Sequence, residues 1–264
     1  MAAFLKSCHS ANIQPVQDSM DADAAVIWSV LWHGRMKANQ RVYQHYRSHN
    51  RPVICIDIGA LDRGRTWKIA INNITAQGFY GHDQNLDWDR PKKLGIAHRL
   101  VNKVKPQVLI AAQHPASLQL ECVDQMVWFD QQIQSIRAVT DMPIVLRQHP
   151  RGKVDLARMS HKVVNQPTKP VSNTYDSFDI DYAYHAVINV NSGPGIQAAL
   201  AGARVIVHHT SLAAPVSIQA VDIMQPAVGD RHQWVVEICH TEYTLAEIEQ
   251  GLWLKRIGYK LEPQ

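Results

Sequence analysis

The sequence predicts an α/β chain of two lobes facing across a cleft, and three observations carry that expectation. Apolar, β-branched runs alternate with amphipathic stretches, the pattern of parallel strands joined by crossover helices. The rhythm runs through the first half and restarts in the second. A length of 264 residues with 46% hydrophobic side chains suits two lobes of roughly 120 residues, each with its own core.

The run AAVIWSVLW (24–32) reads as the first strand. Residues 36–48 read as a helix with Met36, Val42, Tyr43 and Tyr46 on one apolar face, stopped by Asn50-Arg51-Pro52. VICIDIG (53–59) reads as the second strand. Strand, helix and strand form a unit whose ligands gather at the carboxyl ends of the strands. Residues 61–95 are dense in Gly, Asp, Asn and Trp and read as a loop-rich binding rim. A helix is expected around 94–104, a third strand at 106–113 ending in His114-Pro115, and a longer helix at about 118–138.

In the second half MPIVLRQHP (142–150) reads as a strand running into a basic turn, with a short strand near KVVNQ. A helix or turn is expected near 176–184. HAVINVNSG (185–193) reads as an apolar strand ending in small residues, and PGIQAALAG (194–202) as a short helix with Pro near its start and Gly at its stop. ARVIVHH (203–209) reads as a further strand. The last segment is amphipathic, carries Trp253, Leu254 and Ile257, and opens on a capping-box pair, Thr244 and Glu247. Trp28 and Trp32 are expected in the core.

The net charge is +4 with 14 histidines left out of that count, which suits a phosphate-bearing partner. No stretch approaches the roughly 18 to 20 apolar residues of a membrane helix. The first 25 residues lack the layout of a secretory leader, so a cytoplasmic protein is expected. Cys8, Cys55, Cys122 and Cys239 are far apart and form no C-x-x-C pair, so neither a disulfide framework nor a zinc site is expected. Asp21-Ala22-Asp23 and Asp179-Ile180-Asp181 have D-x-D spacing, but one precedes the first strand and the other falls in a Tyr-rich turn. No metal site is expected.

The strongest chemical signal is a pair of motifs. Arg147, His149 and Arg151 stand at the carboxyl end of a strand, where arginine and histidine can donate to phosphate oxygens. Ser192, Gly193, Pro194 and Gly195 then join a buried strand to a helix. Such a turn offers backbone N–H groups and the positive end of the helix dipole to an anion, and its small residues allow close approach. Ser192 suits the N-cap. Each motif alone also fits a plain turn or a solvated basic loop. In this order, roughly forty residues apart, they point to a phosphate site.

The strand ending Arg147-Gln148-His149-Pro150, the Asn191-Ser192 turn, and Ala198, Leu200, Gly202 and Val205 to Val207 as packing positions together resemble the donor half of bacterial capsule-type and Kdo-type glycosyltransferases. The resemblance spans residues 142–210. It implies a GT-B-like fold: two Rossmann-like lobes facing across a cleft, with the C-terminal helix crossing back to the first lobe. With the boundary read near 125–140, an acceptor-side lobe covers 1–130, a nucleotide-sugar donor lobe 131–243 and the returning helix 244–264. Arg147, His149, Arg151 and Ser192 to Gly195 then hold the donor phosphates. The co-substrate is a nucleotide sugar, a UDP-sugar in first place, with no other cofactor. Gln197 stands where that family often has a Glu for a sugar or ribose hydroxyl. The string from Trp28 to Ile74 is similar to small phage-encoded glycosyltransferases, several of which decorate hydroxymethylated bases in DNA.

An acceptor hydroxyl needs a general base, usually a carboxylate or histidine. Asp57, His33 and Asp62 are the candidates, followed by Asp83 and Asp87. Asp57 sits in an otherwise apolar strand, where burial raises a carboxyl pKa; capping a neighbouring loop is its structural alternative. His33 directly follows the first strand. Asp62 shares a loop with Arg63 and Arg65, where an ion pair is the plainer fate. Arg63, Arg65, Trp67 and Lys68 mix cations with an aromatic, as a phosphate backbone and a stacked base require, and Arg35 and Lys37 join them. The favoured acceptor is a hydroxymethylated pyrimidine in phage DNA. A capsule or lipopolysaccharide acceptor, a nucleotide-sugar epimerase, and a non-catalytic nucleotide or nucleic-acid binding module stay open.

Overall fold

The computed structural model describes residues 1–81, 86–97, 104–168, 181–225 and 230–261. The first elements are α1 (Ala2–Ser10), β1 (Ala25–Trp28), α2 (Lys37–Ser48), β2 (Val53–Ile58), β3 (Thr66–Ile71) and α3 (Arg90–Leu94). There follow β4 (Lys105–Ala111), α4 (Gln125–Arg137), β5 (Ile144–Arg147), β6 (Val164–Gln166), β7 (Tyr184–Asn189), α5 (Gly193–Leu200) and β8 (Arg204–Val207). The chain closes with α6 (His232–Cys239), β9 (Glu242–Thr244), α7 (Leu245–Glu249) and α8 (Leu252–Ile257).

These elements build two sheets, β1-β2-β3-β9 and β6-β5-β4-β7-β8. The second is parallel throughout. Counted within its own lobe its order is 3-2-1-4-5, the doubly wound order, with the switch point between β4 and β7. Alternation along its strands feeds two cores. Val108, Ile110 and Leu146 pack with Phe129, Ile133 and Ile136 of α4, whereas Leu109, Val187 and Val205 pack with α5 and α6.

The first sheet is mixed. β1 and β2 are parallel, joined by α2, but β3 runs antiparallel to both β2 and β9. The expected rim at 61–95 therefore contains a strand. Every residue of β3 is buried, and the polar–apolar alternation of Thr66 to Ile69 is only four residues long in a segment otherwise dense in Gly, Asp and Asn. One face of this sheet meets α1 and the C-terminal helices, the other meets α2.

Two further boundaries differ from expectation. The first strand stops at Trp28 because Ser29 adopts a left-handed φ of 73°. The helix expected at 118–138 begins at Gln125, where Asp124 caps it by accepting from the Met126 and Val127 N–H groups. α3 ends at Leu94 with Gly95 left-handed as its cap, so the helix expected at 94–104 does not continue through residues 95–97; residues 98–103 of that expectation and 176–180 of the turn expected at 176–184 lie outside the described residues.

The expected lobe boundary near 125–140 also needs correction. β4 is the central strand of the second sheet, paired with β5 on one side and β7 on the other. A cut at 125–140 would pass through α4, whose apolar face lies on that sheet. The order of strands along the chain does not say which sheet each joins, and the crossing falls between β3 and β4.

The C-terminal segment crosses back to the first lobe. The Thr244–Glu247 capping box forms, and Gly251, with φ 73°, divides the segment into α7 and α8. Trp253 is fully buried, stacks on Phe4 of α1 at 4.6 Å and donates its indole N–H to Ser7 Oγ at 3.0 Å. Burying each such side chain contributes about 1.5–3 kcal/mol. Buried Arg90 ties the segment down, donating to Cys239 O and Glu242 O, each at 2.6 Å, and to Glu247 Oε1 at 2.7 Å. Among the described residues no helix is long and apolar enough to cross a membrane.

Candidate functional site

The carboxyl ends of β1, β2 and the strands of the second sheet open onto one cavity of about 370 Å³, which the amino-terminal half of β3 also reaches. The first lobe lines it with Trp28, His33, Arg35, Asp57, Arg63 and Lys68, the second with Gln113, His114, Arg147, His149, Arg151, Ser192, Gly193, Pro194 and Gln197. Five of these side chains are cationic and Asp57 is the one carboxylate, so the cavity favours an anion. The lobes are tied at its edge by backbone bonds, Trp32 N–H to Ala116 O at 2.8 Å and Leu118 N–H to Val30 O at 2.9 Å.

The floor is a polar network at the switch point. Gln113 Nε2 donates to Asn191 Oδ1 at 3.0 Å, and Asn191 Nδ2 donates to Gln119 O and Thr210 Oγ1 at 2.7 and 2.8 Å. Asn189 Nδ2 donates to Ala111 O at 2.8 Å. These bonds fix the ends of β4 and β7 to one another. Buried amides satisfied in this way hold a single geometry.

The turn before α5 rests on this floor. Ser192 occupies the N-cap position, but its hydroxyl makes no bond to the helix. It is paired instead with Asn189, whose Nδ2 donates to Ser192 Oγ at 2.9 Å and whose Oδ1 accepts from Ser192 N–H at the same distance. Ser192, Gly193 and Pro194 line the cavity; Gly195 does not. Gly195 is buried, and a Cβ there would sit 3.1 Å from both Asn189 Oδ1 and Val207 Cγ1. Its small size serves close packing of α5 on β8, not anion approach.

Arg147 and His149 leave the end of β5, and Arg151 follows on the loop. Gln148 fixes that loop by accepting from Val154 N–H at 2.7 Å. The Arg151 N–H donates to His149 Nδ1 at 3.1 Å, so the neutral ring carries its proton on Nε2. Burial, then the neighbouring His114 and the arginines, push His149 down to about 3. It is neutral near pH 7, with an uncharged Nε2–H.

His114, which was not among the expected site residues, also lines the cavity. It ends β4 as His149 ends β5, and β4 and β5 are adjacent parallel strands. Its Nδ1 accepts from Ala116 N–H at 3.1 Å, which again leaves the proton on Nε2. Burial, then His33, hold it below the ordinary histidine range. The repeated His-Pro dipeptide at two successive strand ends was the available signal.

On the first lobe Asp57 closes β2 and accepts from the Ile58 N–H at 2.8 Å. Burial raises its pKa, against the opposing pull of that bond, Lys68 and Arg63. Lys68 is 4% exposed and its pKa is lowered by burial. Glu242, fully buried on β9, accepts from Ala60 N–H at 2.6 Å, Leu61 N–H at 3.0 Å and Thr66 Oγ1 at 2.7 Å. It fixes the turn after β2, and no local feature of the sequence marks it.

His33 and Arg35 reach the cavity, whereas Lys37 is exposed on α2 outside it. Asp62, Arg65 and Trp67 are elsewhere as well. Asp62 pairs with Arg65 at 2.9 Å on the outer turn, and Arg65 also donates to Leu94 O at 2.8 Å. Trp67 is 7% exposed in the core beneath α1 and α8. Side chains alternate along a strand, so Lys68 faces the cavity and Trp67 cannot. Asp87 pairs with Lys93 outside the cavity, and Asp83 and Asp179 lie outside the described residues. Among the described residues no three His, Cys, Asp or Glu side chains form a metal-binding group; Asp21 pairs with Arg51 and Asp181 with Lys105.

No protein-family model matches the chain, and no curated protein matches it in sequence. Solved structures resemble it. KpsC of Thermosulfurimonas dismutans, a β-Kdo 2,4-transferase, aligns over 91% of this chain and 90% of its own with TM-score 0.53 and 11% identity. The likeness is one of fold. A β-Kdo 2,7-transferase structure of KpsC from the same organism aligns over 94% and 88%, with TM-score 0.41 and 14% identity.

Proposed function

We propose that this chain is a glycosyltransferase that moves a sugar from a nucleotide-sugar donor to an acceptor hydroxyl in the cavity between its lobes. One observation carries the reading. Asp57, a carboxyl raised by burial, opens on the same cavity as Arg147, His149 and the turn Ser192–Pro194 of the opposite lobe. In the reaction the donor phosphates lie against Arg147, the Nε2–H group of His149 and the first turn of α5, while the His114 ring N–H holds the Arg151 backbone carbonyl and so fixes the loop that carries His149 and Arg151. As the bond from sugar to phosphate oxygen breaks, these donors meet the charge left on the phosphate. Asp57 takes the acceptor proton as the new bond from sugar to oxygen forms, with His33 as the rival base. The fold likeness to a β-Kdo 2,4-transferase supports sugar transfer as the class.

For the acceptor, a hydroxymethylated pyrimidine in DNA keeps Arg35, Arg63 and Lys68 as anionic contacts but loses Trp67 as its stacking platform. A glycan hydroxyl is therefore tested beside it. The experiment is a mass-spectrometric transfer assay with a panel of nucleotide sugars, UDP-sugars first. Acceptors are duplex DNA with and without 5-hydroxymethylcytosine or 5-hydroxymethyluracil, and capsule-type oligosaccharides. A sugar-sized mass gain on one acceptor, lost in Asp57→Asn, is the expected result. Binding of nucleotide sugar with no transfer or hydrolysis would leave only a binding module, and neither binding nor transfer would overturn the proposal.

A further inference from the structure

Three adjacent strands of the first sheet set two acids on either side of one amine. In their register Asp57 of β2 lies opposite Lys68 of β3, and Lys68 lies opposite Glu242 of β9. Opposed residues share a face of the sheet with Cβ atoms about 4.5–5.5 Å apart. Lys68 and Asp57 both line the cavity, while Glu242 is buried behind them, its Oε1 4.0 Å from Lys68 Nζ.

Glu242 is built into this place. Its two oxygens are met by the Ala60 and Leu61 N–H groups and the Thr66 hydroxyl, the arrangement a carboxylate's lone pairs require. Gly59 makes room for it, since a Cβ there would lie 2.3 Å from Oε2. A lysine serving Asp57 alone would hold that carboxyl in a tight ion pair, a poor proton acceptor. Here the same ammonium answers to two carboxylates.

We propose that Glu242 is a positioning residue that acts on Asp57 through Lys68, drawing the shared ammonium away so that Asp57 remains able to take a proton. The inference rests on the reading of Asp57 as the base. Other groups also face Asp57: Arg63 from the following turn, Tyr80 from the segment after β3, and Cys55 on its own strand. The second lobe adds Arg147, His149 and Arg151 across the cavity. Lys68 differs from all of these in having a buried carboxylate in register against it.

The test is a carboxyl-carbon NMR titration of Asp57 in the full-length protein, the signal assigned through Asp57→Asn. Lys68→Met removes the cation, so the Asp57 midpoint must rise. Glu242→Gln removes the competing charge and frees Lys68, so the midpoint must fall. Each change is expected near tenfold in the ionisation constant, about one pH unit. A structural role alone would not move the two variants in opposite directions. Should Glu242→Gln fail to fold, Glu242→Asp, which retracts the same charge, must still lower the midpoint. Midpoints that stay put, or move together, overturn the inference. The titration needs no turnover, so opposed shifts with transfer unaffected by Asp57→Asn would sink the base assignment and leave the coupling standing.

Discussion

His33 and His114 face each other across the cleft with ring centroids 5.3 Å apart, one from each lobe. His114 in turn meets His149 edge-on at 5.2 Å. A row of imidazoles thus runs from the proposed acceptor side to the proposed phosphate side, in a cavity crowded with arginines. Burial first, and then the like charge that a proton would set beside neighbouring rings and arginines, holds His114 and His149 below the ordinary range.

A pH dependence follows from His149. Its folded value of about 3 lies under the ordinary 6.5, so between those values the unfolded chain binds the proton and the folded chain does not. Stability therefore falls as pH descends from about 6.5 toward 3. Thermal melts at pH 7 and pH 4.5 should show a smaller loss in His149→Asn than in the parent. Donor affinity, measured by calorimetry from pH 8 to pH 5, should stay within about twofold, because the ring donates in its neutral form. A marked tightening through pH 6.5 would mean that His149 charges and would refute the neutral donor.

Gly152 provides a way to move His114 without removing it. A Cβ on Gly152 would sit 2.5 Å from His114 Cδ2, so Gly152→Ala must displace the ring, at about 1–3 kcal/mol of stability. Both Gly152→Ala and His114→Ala break the ring's bond to the Arg151 carbonyl and loosen the loop that carries His149 and Arg151, so each should weaken nucleotide-sugar binding to a similar extent in calorimetry. Losing one hydrogen bond from that loop to a charged group costs about 1.5–3 kcal/mol, roughly ten- to a hundredfold in affinity. Parental affinity in both would mean that His114 does not position the donor loop.

The second-lobe wall of the cavity is legible in the sequence because its signals are local. Arg147, His149 and Ser192 each stand where a strand ends, and a parallel sheet delivers strand ends to one edge. The first-lobe wall depends on strand phase, and a segment read as loop has none. Trp67 and Lys68 are neighbours in sequence and lie on opposite faces of β3. Glu242 is separated from Thr66 by 176 positions, and only the return of the C-terminal segment brings it to Lys68. The same non-local step hid the sheet membership of β4.

Asp57 and Asp62 give a matched pair of carboxylates. Asp57 lines the cavity, whereas Asp62 pairs with Arg65 on the outer turn. General-base removal costs about 10²–10⁴-fold in rate, so Asp57→Asn should lower kcat by that order with donor affinity within about twofold. Asp62→Asn, removing an exposed pair worth about 0–1 kcal/mol, should leave kcat unchanged. Equal loss in the two variants would place the base outside β2.

Trp67 and Arg63 separate core from contact on the first lobe. Trp67 packs with Ile56, Ile69 and Tyr243 under the C-terminal helices, so Trp67→Ala should cost about 3–5 kcal/mol, a large drop in Tm. At a temperature where it remains folded its KM for acceptor should match the parent, since no part of the ring reaches the cavity. Arg63 lines the cavity, and Arg63→Ala should differ by raising acceptor KM roughly tenfold, from a lost charge-assisted contact of about 1.5 kcal/mol or more. Steady-state kinetics beside thermal melts read both quantities on the same preparations. A stable Trp67→Ala with a raised acceptor KM would return the tryptophan to the acceptor surface and restore stacking as part of recognition.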